Sequence, residues 1–294
     1  VAWSKHDRVG RYRLLSMIGV GRSCHVWEVI DDANNERRAI KVLKDEYAGS
    51  REHRALLSRE FAVGRTLNHQ QVIRIYEFHK RRGATYIVME LFPARNVKES
   101  FLEMGVEAFA YFVPKIAEQA AVALGYLHEQ GWLHRDVKPD NFLMNRDGTV
   151  KLIDFALADR SRGLLGRLFG GRLKIQGTRS YMSPEQIRGR GVDERSDVYG
   201  LGCMLHELAG GKPPFTGQNT QELLTKHLRN APPPLEAAGR DVTTEFAELV
   251  RKMLSKNPAQ RPQSMSDVVR AVRGMQVYNR IPDRPVEAKS GKGR

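Results

Sequence analysis

Cysteine is scarce, with only Cys24 and Cys203 in 294 residues, so neither a disulfide framework nor a cysteine-based zinc site is expected. Cys24 lies in a glycine-rich turn and Cys203 in the apolar stretch YGLGCMLHEL, and a reducing, cytoplasmic setting is expected. Long apolar runs are missing too. Nothing approaches the roughly 18 to 20 uninterrupted apolar residues of a membrane-crossing helix, and the opening VAWSKHDRVG has no apolar core of the signal-peptide kind. A membrane span, if the parent protein has one, is expected outside these residues. Acidic residues are in deficit, 34 against 48 lysines and arginines, for a formal net charge of +14. That excess fits nucleic acid, anionic lipid, an acidic protein partner or a merely solvated basic surface, and by itself chooses none of them. Nucleic acid is disfavoured, because no recognition motif or aromatic-rich basic platform accompanies the charge.

What is present is the composition of a globular chain, 41% hydrophobic and 28% charged, long enough for one large domain or two lobes with separate cores. From about Tyr12 to Phe92 the segments LLSMIGVG, CHVWEVID, RRAIKVL, VIRIYEFHK and TYIVMEL are rich in β-branched and aromatic residues and predict strands. Between the third and fourth, Leu56, Leu57, Phe61, Val63 and Leu67 recur at roughly helical spacing and predict one helix. From about Arg95 onward the pattern turns helical, most clearly in YFVPKIAEQAAVALGYLHEQG, DVYGLGCMLHELAGG, TQELLTKHL and EFAELVRKML. An α+β, two-lobed architecture follows, with its cleft at the FPAR segment. PPPLEAAGRDV predicts a rigid extended loop and the basic tail from about Gln276 a linker. No internal repeat is evident.

Three segments carry chemistry. Gly19-Val20-Gly21-Arg22-Ser23-Cys24 lies between two predicted strands. Its glycines permit the close backbone approach that phosphates need, although a glycine pair there equally serves an ordinary hairpin turn. A strand rather than a helix follows, which disfavours a dinucleotide-binding reading. Ala39-Ile40-Lys41 ends a strand about twenty residues on. Lys41 either faces solvent or grips nucleotide phosphates with Glu60 orienting it. The third is His134-Arg135-Asp136-Val137-Lys138-Pro139-Asp140-Asn141, followed by Val150-Lys151-Leu152-Ile153-Asp154-Phe155-Ala156.

With that stretch the sequence resembles the eukaryotic-type protein serine/threonine kinases, bacterial members above all, from about Tyr12 to Gly274. The resemblance implies a two-lobed protein-kinase-like fold: a flank at 1–11, a small β-rich lobe at 12–92, a large helical lobe at 93–274 with an activation segment at 154–185, and a basic tail at 275–294. It implies transfer of the γ-phosphate of ATP to protein serine or threonine, with Mg²⁺ or alternatively Mn²⁺. Asp136 would accept or orient the hydroxyl proton, Lys138 would neutralise the transferring group, and Asn141 and Asp154 would hold the metal. Ile18, Gly19, Val20 and Gly21 would cover the nucleotide. Val26, Ala39 and Leu143 would sandwich adenine, Met89 would line the back of its pocket, and backbone groups of Glu90 and Phe92 would bond it. Thr178 would serve the substrate site, which with Lys138 marks serine/threonine rather than tyrosine kinases. His134, Arg135, Asp197 and the pair Glu185 and Arg261 would be structural. A different reading stays open, a nucleotide-binding pseudokinase that acts as a scaffold.

Several positions depart from the family. Cys24 stands for the third loop glycine and is expected to alter loop flexibility more than activity. Gly64, four residues after Glu60, stands where a bulkier residue is common. Ala156 replaces a glycine and, being disfavoured at positive φ, predicts restricted flipping of Phe155. Kinases with an arginine at position 135 often neutralise it by phosphorylating the activation segment. Here that segment is basic, with Arg160, Arg162, Arg167, Arg172, Lys174 and Arg179, and has no serine, threonine or tyrosine from Arg162 to Gly177. Phosphorylation mid-segment is therefore excluded, leaving Ser161, Thr178 and Ser180. Leu164, Leu165, Leu168 and Phe169 fit either a mobile loop or a short amphipathic helix that meets the cleft, an acidic protein or an anionic surface. A membrane-anchored parent protein is a further implication of the resemblance.

Overall fold

Alternation of apolar residues at a period of two dictates the first half of the molecule. In the computed structural model, which describes residues 4, 7–81, 84–160, 177–189, 191–238 and 241–285, strands β1 (Arg8–Val9), β2 (Tyr12–Val20), β3 (Cys24–Asp31), β4 (Arg37–Leu43), β5 (Ile75–Arg81) and β6 (Ala84–Met89) form one antiparallel sheet in the order β1-β2-β3-β4-β6-β5. Tyr12, Leu14, Trp27, Val29, Ile40, Val42, Tyr86 and Val88 pack together on one face. Because side chains alternate, Ala39, Lys41 and Leu43 point to the other. That second face receives helix α2 (Arg51–Gly64), after the single turn α1 (Asp45–Ala48). Ser50 caps α2 by accepting the His53 N–H, and Leu57, Glu60, Val63 and Gly64 form its buried stripe.

Gly64 belongs to a size exchange. A Cβ there would lie 2.8 Å from Cγ1 of Ile75, so the β5 isoleucine already fills the space that a larger helix residue would take. The volume expected at position 64 is supplied from the opposite side of the seam.

The second half is built around α6 (Glu194–Gly210), whose residues from Ser196 to Ala209 are all buried. A helix buried on all sides is a core helix, and its buried polar residues Asp197 and Glu207 are bonded to partners. Around it lie α3 (Val97–Phe109), α4 (Val113–Glu129), α5 (Pro184–Arg188), α7 (Thr220–Arg229), α8 (Thr244–Met253) and α9 (Met265–Val272). Two small antiparallel sheets carry the loops between α4 and α5: β7 (Arg95–Asn96) with β9 (Phe142–Met144) and β10 (Val150–Leu152), and β8 (Trp132–Leu133) with β11 (Asp159–Arg160). The two halves join where Val72 bridges Leu152 and where Ile73 N–H donates to the Leu152 carbonyl at 3.0 Å.

The structure departs from expectation in three places. Leu235–Ala238 forms a 3-10 turn within the expected extended loop. The expected linker starts with packed residues: Val277 and Tyr278 are buried, and Tyr278 bridges Val242. Asp154 takes the positive φ, 65°, and Ala156 is not among the described non-glycine residues with positive φ. The strain expected of alanine at 156 is therefore absent, since the backbone there is one any residue adopts. Leu164, Leu165, Leu168 and Phe169, with Ser161, lie outside the described residues.

Candidate active site

Lys41 owes its position to β4, which turns it away from solvent and toward α2. Its Nζ donates to Glu60 Oε1 and Oε2 at 2.9 and 2.7 Å and lies 3.6 Å from Asp154 Oδ1. Burial would depress the Lys41 ammonium, but Asp154 and Glu60 outweigh it and raise its pKa above the ordinary lysine value. Burial pushes the Glu60 carboxyl up to about 7 against the pull of Lys41. At Asp154 burial acts in the same direction, yet Lys41 and the Ala156 N–H prevail and hold the carboxyl below its usual range.

The sheet ladder explains which expected nucleotide residues share a surface. Gly19 pairs with Val26, Val26 with Lys41, and Ala39 with Met89, and directly opposed residues lie on the same face. Ile18 and Val20 are the exposed apolar residues beside them, 47% and 68% accessible. Gly21 N–H donates to the Cys24 carbonyl, closing the turn. Burial raises the Cys24 thiol pKa, which keeps it protonated and unreactive. Glu90 N–H is bonded to Arg74 O at 2.8 Å, and Phe92 is half-buried under Lys151. Leu143 comes from the other half of the molecule, on β9 opposite Lys151.

Across the cleft, the loop from His134 to Asn141 is held from below by Asp197. This buried carboxylate accepts the His134 and Arg135 N–H groups and His128 Nε2–H, each at 2.8 Å. Burial alone would raise its pKa; those bonds, His128 first, lower it instead. Arg135 sits at φ 68°, a conformation costing on the order of 1–3 kcal/mol for a non-glycine residue. Asp197 on its N–H and Gln186 Nε2 on its carbonyl at 2.8 Å hold it there.

Asp136 is the next residue, and three groups converge on its carboxylate. Oδ1 accepts Thr178 N–H at 2.7 Å, and Oδ2 receives Lys138 Nζ at 2.8 Å and Asn141 Nδ2 at 3.2 Å. Lys138 also donates to Thr178 Oγ1 at 2.6 Å. Further down, Glu185 and Arg261 form a buried bidentate pair at 2.7 and 3.0 Å, and the remaining guanidinium N–H groups reach the carbonyls of Arg195, Ser255 and Lys256. His134 edges against buried Phe155 with centroids 6.1 Å apart.

A model of the protein kinase domain matches residues 12–271. The chain belongs to the protein kinase family. Two relatives are named serine/threonine-protein kinases: PknA of Mycobacterium tuberculosis is 34% identical over 94% of this chain and 63% of its own length, and PknB of Mycolicibacterium smegmatis 34% identical over 88% and 42%. A probable serine/threonine-protein kinase of Clostridium acetobutylicum is 30% identical over 88% of this chain and 39% of its own length. The chain thus spans about two fifths to three fifths of these relatives.

In this kinase domain, Asn141 uses Nδ2 on Asp136, at its carbonyl as well as its carboxylate. That leaves its Oδ1, like the Asp154 carboxylate, as an oxygen donor. Hard oxygens of this kind would suit a divalent cation. Among the described residues no group of three His, Cys, Asp or Glu side chains forms a self-sufficient metal cage, and no helix is long and apolar enough to cross a membrane.

Residues that sequence reading missed are long-range partners. His128 joins Asp197, Gln186 fixes Arg135, and Asp159 lies 3.2 Å from the Arg135 guanidinium. Buried Glu207 accepts Tyr181 Oη–H at 2.5 Å and pairs with Lys98. No local motif announces any of them.

Proposed function

We propose that this domain is an ATP-dependent protein serine/threonine kinase. One observation carries the reading: Lys138 reaches both the Asp136 carboxylate and the Thr178 hydroxyl, and the Thr178 N–H donates to that carboxylate, across the cleft from the Lys41 and Glu60 pair. Phosphoryl transfer asks a protein for positioning and positive charge rather than covalent chemistry. Lys41, oriented by Glu60, grips the α- and β-phosphates. Asp136 accepts or orients the proton of the incoming hydroxyl, and Lys138 neutralises the transferring group. Thr178, bonded to both, lines the place of a serine or threonine side chain. Asn141 and Asp154 hold the divalent cation, Mg²⁺ in this reading, which when bound supplies charge neutralisation at the phosphates.

The nucleotide lies against Ile18 to Gly21, Val26, Ala39, Met89, Glu90, Phe92 and Leu143, between lobes spanning 12–92 and 93–274. The domain works in the cytoplasm on protein substrates, and its basic segment, which includes Arg160 and Arg179, favours an acidic partner or anionic surface. Incubation with labelled Mg·ATP and a generic protein substrate tests the core of this. Wild type labels serine and threonine, and Asp136→Ala loses on the order of 10²-fold or more. Nucleotide binding without transfer by either protein would overturn it in favour of a scaffold.

A further inference from the structure

Arg135 presents a charge problem that the reaction scheme leaves open. Its side chain is 7% exposed and belongs to the residue immediately before Asp136. Its backbone is pinned on both sides, N–H to Asp197 and carbonyl to Gln186, at positive φ. The side chain leaves a fixed point, so its charge must be met where it lies. A buried cation without a counter-charge is costly and will move toward water if it can.

Asp159 Oδ2, 3.2 Å from Arg135 Nη1, meets that charge. The carboxylate is not a chance neighbour on a free loop. β11 pairs with β8 in the register Asp159 to Leu133 and Arg160 to Trp132, so Asp159 rides on the strand hydrogen-bonded to the one that feeds the catalytic loop. Arg160 fastens the same seam, its guanidinium 4.0 Å above the Trp132 ring and its Nη1 on the Gln130 carbonyl. Asp159 also follows Asp154 by five residues on the same stretch of chain. One ion pair thus ties the segment bearing the proposed metal ligand to the loop bearing the proposed base.

We infer that Asp159 is a positioning residue, a built-in counter-ion that holds Arg135 and Asp136 in working geometry, so that this kinase needs no phosphate on its activation segment. The inference rests on the kinase reading for its rate consequences only. Two further observations support it. The chain from Arg162 to Gly177 offers no hydroxyl to modify, and Thr178 Oγ1 is already engaged by Lys138. A phosphate brought to Arg135 would meet the Asp159 carboxylate, a like charge.

The test compares wild type, Asp159→Asn and Asp159→Glu, each treated with phosphatase, by transfer rate and by backbone hydrogen exchange of the 132–136 and 159–160 amides. Phosphatase-treated wild type retains its kcat and its protection. Asp159→Asn lowers kcat by about tenfold or more with little change in KM for ATP, and it speeds exchange of both segments. Asp159→Glu, which keeps the charge, restores both. Loss of wild-type activity on phosphatase treatment would overturn the inference, as would wild-type behaviour of Asp159→Asn. A defect that glutamate does not recover would reduce Asp159 to a merely structural residue. If no protein transfers phosphate at all, the kinase reading fails, while unchanged exchange in Asp159→Asn would separately refute the ion-pair role.

Discussion

The two sides of the cleft are held by different physics. On the small-lobe side, the Lys41 and Glu60 contact joins two side chains from separate elements, a strand and a helix, and one partner is pushed toward neutrality at about pH 7. On the large-lobe side, the loop before Asp136 is fixed through its own backbone to a buried carboxylate whose pKa is lowered. A side-chain pair can be made and broken without unfolding anything. A backbone anchored to Asp197 cannot. The small lobe therefore carries the adjustable half of the site and the large lobe the permanent half.

The largest effect expected of that contrast is on stability. Glu185→Gln leaves the Arg261 guanidinium, with 0% side-chain exposure, short of its counter-charge, and breaking such a pair costs about 3–5 kcal/mol. Thermal denaturation should show a large fall in Tm; a fall no greater than that of a surface variant would break the distinction. Lys41→Met should do the reverse. It should lower transfer by about 100-fold or more while Tm falls far less, because Glu60, with its pKa pushed up to about 7, can take up a proton once Lys41 is gone, and a matching loss of stability would mean that Lys41 is structural like Arg261.

A smaller effect comes from packing. Gly64→Ala should lose about 1–3 kcal/mol through overpacking against Ile75. Ile75→Val should recover part of it in the double variant, measured by a denaturation cycle.

The mildest probe is pH. As pH falls through about 7, Glu60 takes up a proton and its attraction for Lys41 weakens, so transfer should decline on that acid limb. Asp197 behaves oppositely. Its folded pKa is depressed, so its stabilising contribution is present above about pH 4 and is lost only as pH falls through the lower folded value. Hydrogen exchange at the His134 and Arg135 amides should then stay slow across the range in which activity falls. Parallel loss of both would erase the difference between the two sides.

The sequence made the permanent and the adjustable parts unequally legible. Lys41 could be placed because strand alternation fixes a face, and the loop from His134 to Asn141 because its chemistry is contiguous. Asp197 and the pairing of Glu185 with Arg261 came from the family resemblance, since partners 76 residues apart leave no periodic trace. Helix α3 has no clean helical period in the sequence because Gly105, at φ 74° and ψ 162°, interrupts it. Ala156 misled because the positive φ belongs two residues earlier, at Asp154. Asp159 carries no motif of its own in the sequence. Its meaning depends on β11 lying against β8, which no local pattern encodes.

The exchange of volume between Gly64 and Ile75 bears on how such a chain can change over generations. A methyl group added at 64 collides with a side chain that is harmless only because 64 is bare. Trimming 75 first would instead leave a void beside the helix that carries Glu60. Each step is unfavourable alone and tolerable in combination. The two sites are thus epistatic, and a lineage that entered this arrangement is held in it by the order in which mutations must arrive.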